Sequence, residues 1–168
     1  MPKICLDAGH NAAGADAGAE GNGLREQDLT LDITLYLKFL LTYNGFEVVM
    51  TANNAGADLF LSLHVNAGGG TGTEVYALPG GQAEKLAGIL LNYLGNEANW
   101  AKRGVKTDRK FYVLVNTLMP AVLTENGFID NQSDAVKLRD PEFRKGLARA
   151  HAQGVCDFYG VTYQEPGK

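Results

Sequence analysis

Short apolar runs alternate along this chain with longer stretches whose apolar residues recur every three or four positions. That alternation restricts the fold more than any other feature of the sequence. Lys3 to Asp7, Phe46 to Thr51, Leu59 to Val65 and Thr73 to Leu78 read as strands, with Phe111 to Val115 and Ala121 to Glu125 as two more. Between the first two strands, Leu29, Ile33, Tyr36, Leu37, Leu40 and Leu41 mark one face of a helix from Glu26 to Asn44, which Gly45 stops. Leu86, Ile89, Leu90, Tyr93 and Leu94 mark a second, from Gln82 to about Asn96, and Ser133 to Leu138 reads as a short third. The last helix opens at Asp140, a good N-cap, with Pro141 at its first position. It carries Phe143, Leu147, His151, Val155 and Phe158 inward, and ends at Gly160. Strands alternating with helices predict an α/β fold: a single domain with a mainly parallel central sheet flanked by helices on both faces.

A chain of 168 residues suits one domain, expected over 1–160, with 161–168 as a C-terminal tail or the start of a linker. No apolar run approaches the ~20 residues of a membrane span, and no secretory signal opens the sequence. The net charge of -4 argues against nucleic acid, whose phosphates need a cationic surface. Two cysteines, Cys5 and Cys156, each fall within an apolar element and read as buried thiols, not a disulfide framework.

Four segments carry chemistry. The first strand leads to His10, the first long helix opens at Glu26, the third strand reaches His64 and Asn66, and the sixth ends at Glu125 before Asn126. Two histidines and one carboxylate leave a fourth zinc position open, the arrangement of a hydrolytic site. A further glutamate beside it can serve as general base. Sites in parallel sheets lie at the carboxyl ends of the strands, so an α/β fold would allow all four residues to converge on one rim. Asp16, Glu20 and Asp28 compete with Glu26 as the carboxylate ligand, and Glu26 and Glu125 can exchange roles. Asp7 reads either as an orienting partner for a ligand or as a cap for the following turn. His151 reads as structural, on the buried stripe of the last helix. Glu74 and Glu97 read as solvated.

Five stretches in order resemble the zinc-dependent N-acetylmuramoyl-L-alanine amidases of bacterial cell walls and phage endolysins, the amidase_3 type. They are Lys3 to His10, Gly23 to Glu26, Ala57 to Ala67, Arg103 to Lys106 with Phe111 to Leu114, and Met119 to Asn131. The resemblance implies that His10, Glu26 and His64 hold one Zn2+ per chain and that Glu125 is catalytic. The implied reaction cuts the amide between N-acetylmuramic acid and L-alanine in peptidoglycan, whose glycan strand and stem peptide would be the partners. It also implies action outside the cell, at the wall, reached through a removed signal or through phage lysis, and the linker-like tail leaves room for a wall-binding domain elsewhere in a longer protein. Asn66 and Asn126 are candidate donors to substrate carbonyls or the developing oxyanion. A zinc peptidase acting on stem peptides, and a non-catalytic peptidoglycan-binding domain, are the competing readings.

One stretch departs from the family pattern. The family usually carries an arginine and a helix between the second and third strands. Here residues 52–57 connect them, short for a parallel crossover. Trimming, natural or engineered, or residues left out of the sequence would each give this connection.

Overall fold

The computed structural model describes residues 1–10, 16–50 and 56–167. Eight strands and five helices follow in the order β1 (Lys3–Ala8), β2 (Glu20–Gly21), β3 (Leu24–Arg25), α1 (Glu26–Tyr43), β4 (Glu47–Val49), β5 (Leu59–Asn66), β6 (Thr73–Ala77), α2 (Gly81–Ala98), β7 (Lys102–Lys106), α3 (Tyr112–Val115), β8 (Ala121–Phe128), α4 (Gln132–Arg139) and α5 (Pro141–Tyr159). Six strands form the central sheet in the order β4-β1-β5-β8-β6-β7, and β2 pairs with β3 as a separate hairpin. β4, β1, β5 and β8 run parallel. β6 joins β8 antiparallel, and β7 runs parallel to β6. The expected mainly parallel sheet is therefore present, with two reversed strands at one edge.

Alternation along the strands divides the sheet into two unlike faces. One face carries Ile4 and Leu6 of β1, Leu59, Leu61, Leu63 and Val65 of β5, Val122 of β8 and Val75 of β6. It is buried in one cluster with Leu37 and Leu40 of α1, Leu90 and Leu94 of α2, and Leu147 and Val155 of α5. The other face begins apolar, with Cys5, Phe60, Ala121 and Leu123 packed around Leu114 of α3. It then turns polar toward the carboxyl ends of β1, β5 and β8. Helices lie on both faces, but unequally: three long ones on the first and the four-residue α3 on the second.

The local signals act as expected at the last helix. The Asp140 side chain accepts from the Glu142 N–H, Pro141 sits in the first turn, and Gly160 closes the helix with φ 69°. Residues 161–167 follow without regular structure. Two hydrogen bonds tie Gln164 to Asn44 at the end of α1: Gln164 N–H donates to Asn44 Oδ1, and Asn44 Nδ2 donates to the Gln164 carbonyl. Residues 111–115, expected as a strand, form a turn and α3 instead. They cover the apolar part of the second face and pair with no neighbouring strand. β7 and the β2–β3 hairpin were not anticipated. The short connection falls largely on residues 51–55, outside those described. No described helix is long and apolar enough to cross a membrane.

Candidate metal centre and its surroundings

His10 follows β1 with a φ of 66°, and the preceding Gly9 N–H donates to the Leu63 carbonyl at 2.8 Å. That bond lays Gly9 directly against His64. A Cβ on Gly9 would sit 2.5 Å from His64 Cε1, so only glycine lets the two strands bring their histidines together. Gly18 has the same part in the facing loop, where a Cβ would meet Glu26 Oε2 at 2.7 Å and His10 Cδ2 at 2.8 Å.

Glu26 opens α1 and is buried. Its Oε2 accepts from the Ala19 N–H at 2.8 Å and its Oε1 from the Val65 N–H at 3.0 Å. Both oxygens are thus anchored by backbone while still facing histidines: His64 Nδ1 lies 3.1 Å from Oε1, and His10 Nε2 3.4 Å from Oε2. The two imidazoles meet edge to face at 5.1 Å. His10 Nδ1 bonds Asp16 Oδ1 at 3.0 Å, leaving Nε2 turned to the centre. Burial pushes the Glu26 carboxyl up, but the bonds from His64, Ala19 and Val65 outweigh it, and its pKa ends below the ordinary value. One ligand atom each from His10, Glu26 and His64 lies within 4.8 Å of the others, a spacing that can hold a metal ion. Two imidazoles and a carboxylate suit zinc better than a hard cation that prefers an all-oxygen shell.

Next to this triad, register builds a row of side chains. His64 pairs with Glu125 across β5 and β8, and Glu125 pairs with Glu74 across β8 and β6. Glu125 lies inside β8, three residues before its end, and is 8% exposed; its Oε2 is buried without a hydrogen-bond partner. Burial, followed by the charges of Glu26 and Glu74, pushes its carboxyl up to about 8. Glu74, read from sequence as solvated, is 2% exposed. It bonds Arg103 Nε, Lys106 Nζ at 2.7 Å and Tyr76 OH at 2.8 Å. Burial raises its pKa, but the bonds from Lys106, Arg103 and Tyr76 bring it below the ordinary value. Glu97, by contrast, is exposed as expected.

The other sequence candidates divide. Asn66 is partly exposed, with Nδ2 3.4 Å from Glu74 Oε2. Asn126 is fully buried. Its Nδ2 donates to the His64 carbonyl at 3.0 Å and contacts Thr124 Oγ1 at 3.2 Å, so its donors are spent inside the sheet. Asp7 accepts from Ser62 Oγ at 2.7 Å on the neighbouring strand. His151 is buried between Thr124 Oγ1 at 3.0 Å and the Leu147 carbonyl at 2.7 Å. Because a carbonyl only accepts, His151 Nδ1 carries the proton and Thr124 donates to Nε2. Both cysteines are buried thiols outside any disulfide.

The family model of the N-acetylmuramoyl-L-alanine amidases matches residues 4–54 and 51–157. The chain belongs to this amidase family. The two matched pieces meet at residues 51–54, where the sequence departs from the family pattern. Among curated relatives, the sporulation-specific N-acetylmuramoyl-L-alanine amidase of Bacillus subtilis (strain 168) is 44% identical over 174 residues, covering 92% of this amidase-family chain and 67% of the relative. The N-acetylmuramoyl-L-alanine amidase CwlM of Bacillus licheniformis is 40% identical over 181 residues, covering 96% and 70%. The endolysin of Bacillus phage SPP1 is 36% identical over 188 residues, covering 98% and 68%. Among solved structures, the catalytic domain of the amidase CwlV from Bacillus (Paenibacillus) polymyxa var. colistinus superposes with a TM-score of 0.87 at 27% identity, covering 96% of this chain and all of that one.

Proposed function

We propose that this chain hydrolyses the amide between the lactyl group of N-acetylmuramic acid and L-alanine of the peptidoglycan stem peptide. In this reading His10, Glu26 and His64 hold one zinc ion, and Glu125 is the general base. The observation that carries it is the bonding of three buried carboxylates. Arg103 and Lys106 neutralise Glu74, and backbone N–H groups and histidines bind Glu26, but Glu125 Oε2 has no partner. Buried negative charge in excess of bonded positive charge is costly unless a cation or a transferable proton offsets it.

Zinc, when bound, lowers the pKa of a bound water and polarises the scissile carbonyl. The chain's own residues do the rest. Glu125 accepts a proton from the attacking water as the carbon–oxygen bond forms. It then returns that proton to the alanine nitrogen as the carbon–nitrogen bond breaks, leaving a lactyl carboxylate and a free amine. Its place on a rigid strand beside His64 fixes the base against the metal ligands. Asn66, partly exposed, is the candidate donor to a substrate carbonyl. Asn126 acts indirectly, tying the His64 backbone to β8. Substrate is sought in the bacterial cell wall, as the names of the amidase and endolysin relatives suggest, and residues 1–160 form the catalytic unit.

Zinc content and cleavage, measured together on the wild type and Glu125→Ala, test the proposal. One zinc per chain and release of L-alanine amines by the wild type, with zinc kept and activity lost in the variant, support every assignment. Loss of zinc from the variant would make Glu125 a ligand. New amines within the stem peptide, instead of at L-alanine, would mark a peptidase. Binding of peptidoglycan without cleavage at full zinc loading would mark a binding module.

A further inference from the structure

Beyond the base, the row of side chains ends in a cationic pair that the reaction above does not use. Arg103 and Lys106 sit on the edge strand β7, with side chains 37% and 38% exposed, above a Glu74 side chain that is only 3% exposed. One buried carboxylate facing two partly exposed cations leaves net positive charge at the edge of the sheet, two strands from Glu125. Arg103 is held on two sides: its Nε bonds Glu74 Oε1, and its guanidinium lies over the Phe128 ring, 5.0 Å from the centroid. Among the described residues neither Nη group makes a hydrogen bond. The fork is held at Nε and over the ring while its two ends are unbonded on a partly exposed side chain, which leaves them available for bidentate carboxylate recognition. Lys106 Nζ adds a point charge anchored on the same Glu74 oxygen, 6.0 Å from the Tyr76 ring centroid.

We propose that Arg103 and Lys106 form a subsite for a free carboxylate on the peptide side of the scissile amide. The proposal rests on the amidase reading. There the lactyl carboxyl of the sugar is consumed in the amide, so substrate carboxylates lie on the peptide. The subsite makes the enzyme discriminate between stem peptides with a free carboxylate and those in which it is amidated.

The test uses two soluble muramoyl peptides that differ only in one peptide carboxylate, free or as its carboxamide. The zinc-loaded wild type, Arg103→Gln, Lys106→Gln and Arg103→Lys are compared. With the free acid, Arg103→Gln and Lys106→Gln raise KM about ten-fold each, and Arg103→Lys recovers part of the loss. With the carboxamide, KM stays at the wild-type value, and any change in kcat that passes through Glu74 to Glu125 falls equally on both substrates. Equal KM changes on both substrates, or none on either, overturn the subsite. If the wild type cuts neither peptide, the amidase reading fails, and calorimetric binding to Glu125→Gln still decides the subsite. Preference for the acid that disappears with Arg103→Gln supports it, and no preference overturns it. Should Arg103→Gln fail to fold, Lys106→Gln, which keeps the Arg103–Glu74 bond, gives the same readout.

Discussion

His64 and Glu125 are register partners on β5 and β8, so a proposed metal ligand and the proposed base stand side by side on one face of two parallel strands. Neighbouring strands lie about 4.8 Å apart, and the ladder sets that distance. No loop has to close to bring the two together. Asn126, one residue past Glu125, reinforces the pairing by donating to the His64 carbonyl.

Gly9→Ala is expected to damage the metal centre without touching a ligand. The added Cβ meets His64 Cε1 at 2.5 Å and the Leu63 carbonyl oxygen at 2.6 Å, and backbone cannot yield there cheaply. Overpacking of this kind costs about 1–3 kcal/mol. Chelator competition should show weaker zinc binding, and thermal melting a lower Tm. Unchanged zinc affinity would contradict the close packing of β1 against His64.

Zinc binding at pH 7 is expected to expel a proton from Glu125. Burial and the charges of Glu26 and Glu74 lift its pKa to about 8, so at pH 7 the carboxyl is mostly protonated. A cation on the neighbouring ligands favours the ionised form. Calorimetry in buffers of different ionisation enthalpy should find about one fewer proton released by Glu125→Gln than by wild type. Equal release from both would contradict the raised pKa. The same variant should lose about 10²–10⁴-fold in kcat, the usual contribution of a general base.

Stability should respond to the metal through Glu26. At a hundred-fold excess of zinc over its Kd, a site present only in the folded state adds about 2.7 kcal/mol. Glu26→Gln keeps the length of the side chain but gives up its charge, and its melting temperature should no longer respond to zinc. A full zinc response in that variant would remove Glu26 from the ligand set.

Acid should weaken the fold through His151. Burial lowers its pKa from 6.5 to about 4, although the bond to the Leu147 carbonyl opposes this. The stability it contributes is present above the unfolded pKa near 6.5. It is lost as pH falls toward 4, because the unfolded chain takes up the proton first. The linkage amounts to roughly 3 kcal/mol across that window. Urea unfolding at pH 7 and pH 4.5 should show a smaller pH difference for His151→Leu than for wild type, even though the variant starts less stable. Parallel pH dependence in the two would rule out His151 as the source.

Much of this architecture is legible in residue order. Periodicity marks α1, α2 and α5, and the cap at Asp140 and stop at Gly160 fix the last helix closely. His10, Glu26 and His64, which the fold brings within 4.8 Å of one another, stood out in the sequence because polar residues able to bind a metal interrupt or end apolar runs. What was missed depends on neighbours distant in sequence. Glu74 looks like a solvated residue in an alternating strand, and only the cross-strand arrival of Arg103 and Lys106 shows why it is buried. β7 itself is too polar and glycine-broken to read as a strand. The β2–β3 hairpin had a local signal, the Asn22-Gly23 pair with φ values of 50° and 73°, which suits a two-residue turn. Phe111 to Val115 has a strand's composition. Its apolar side chains are used to cover Phe60 and Leu123, a tertiary demand that composition does not reveal.

The row formed by His64, Glu125 and Glu74 also limits how this chain can drift over generations. Side chains on a strand alternate in direction, so a single residue inserted in β8 ahead of Thr124 would turn the carboxylate into the helix-covered core and bring Thr124's hydroxyl out in its place, and a single loss there would put Asn126 in that place. A substitution in β8 changes one side chain, but a length change there moves every side chain beyond it to the opposite face. The connections around the sheet carry no such register, and the family match breaks into two pieces at one of them, at residues 51–54.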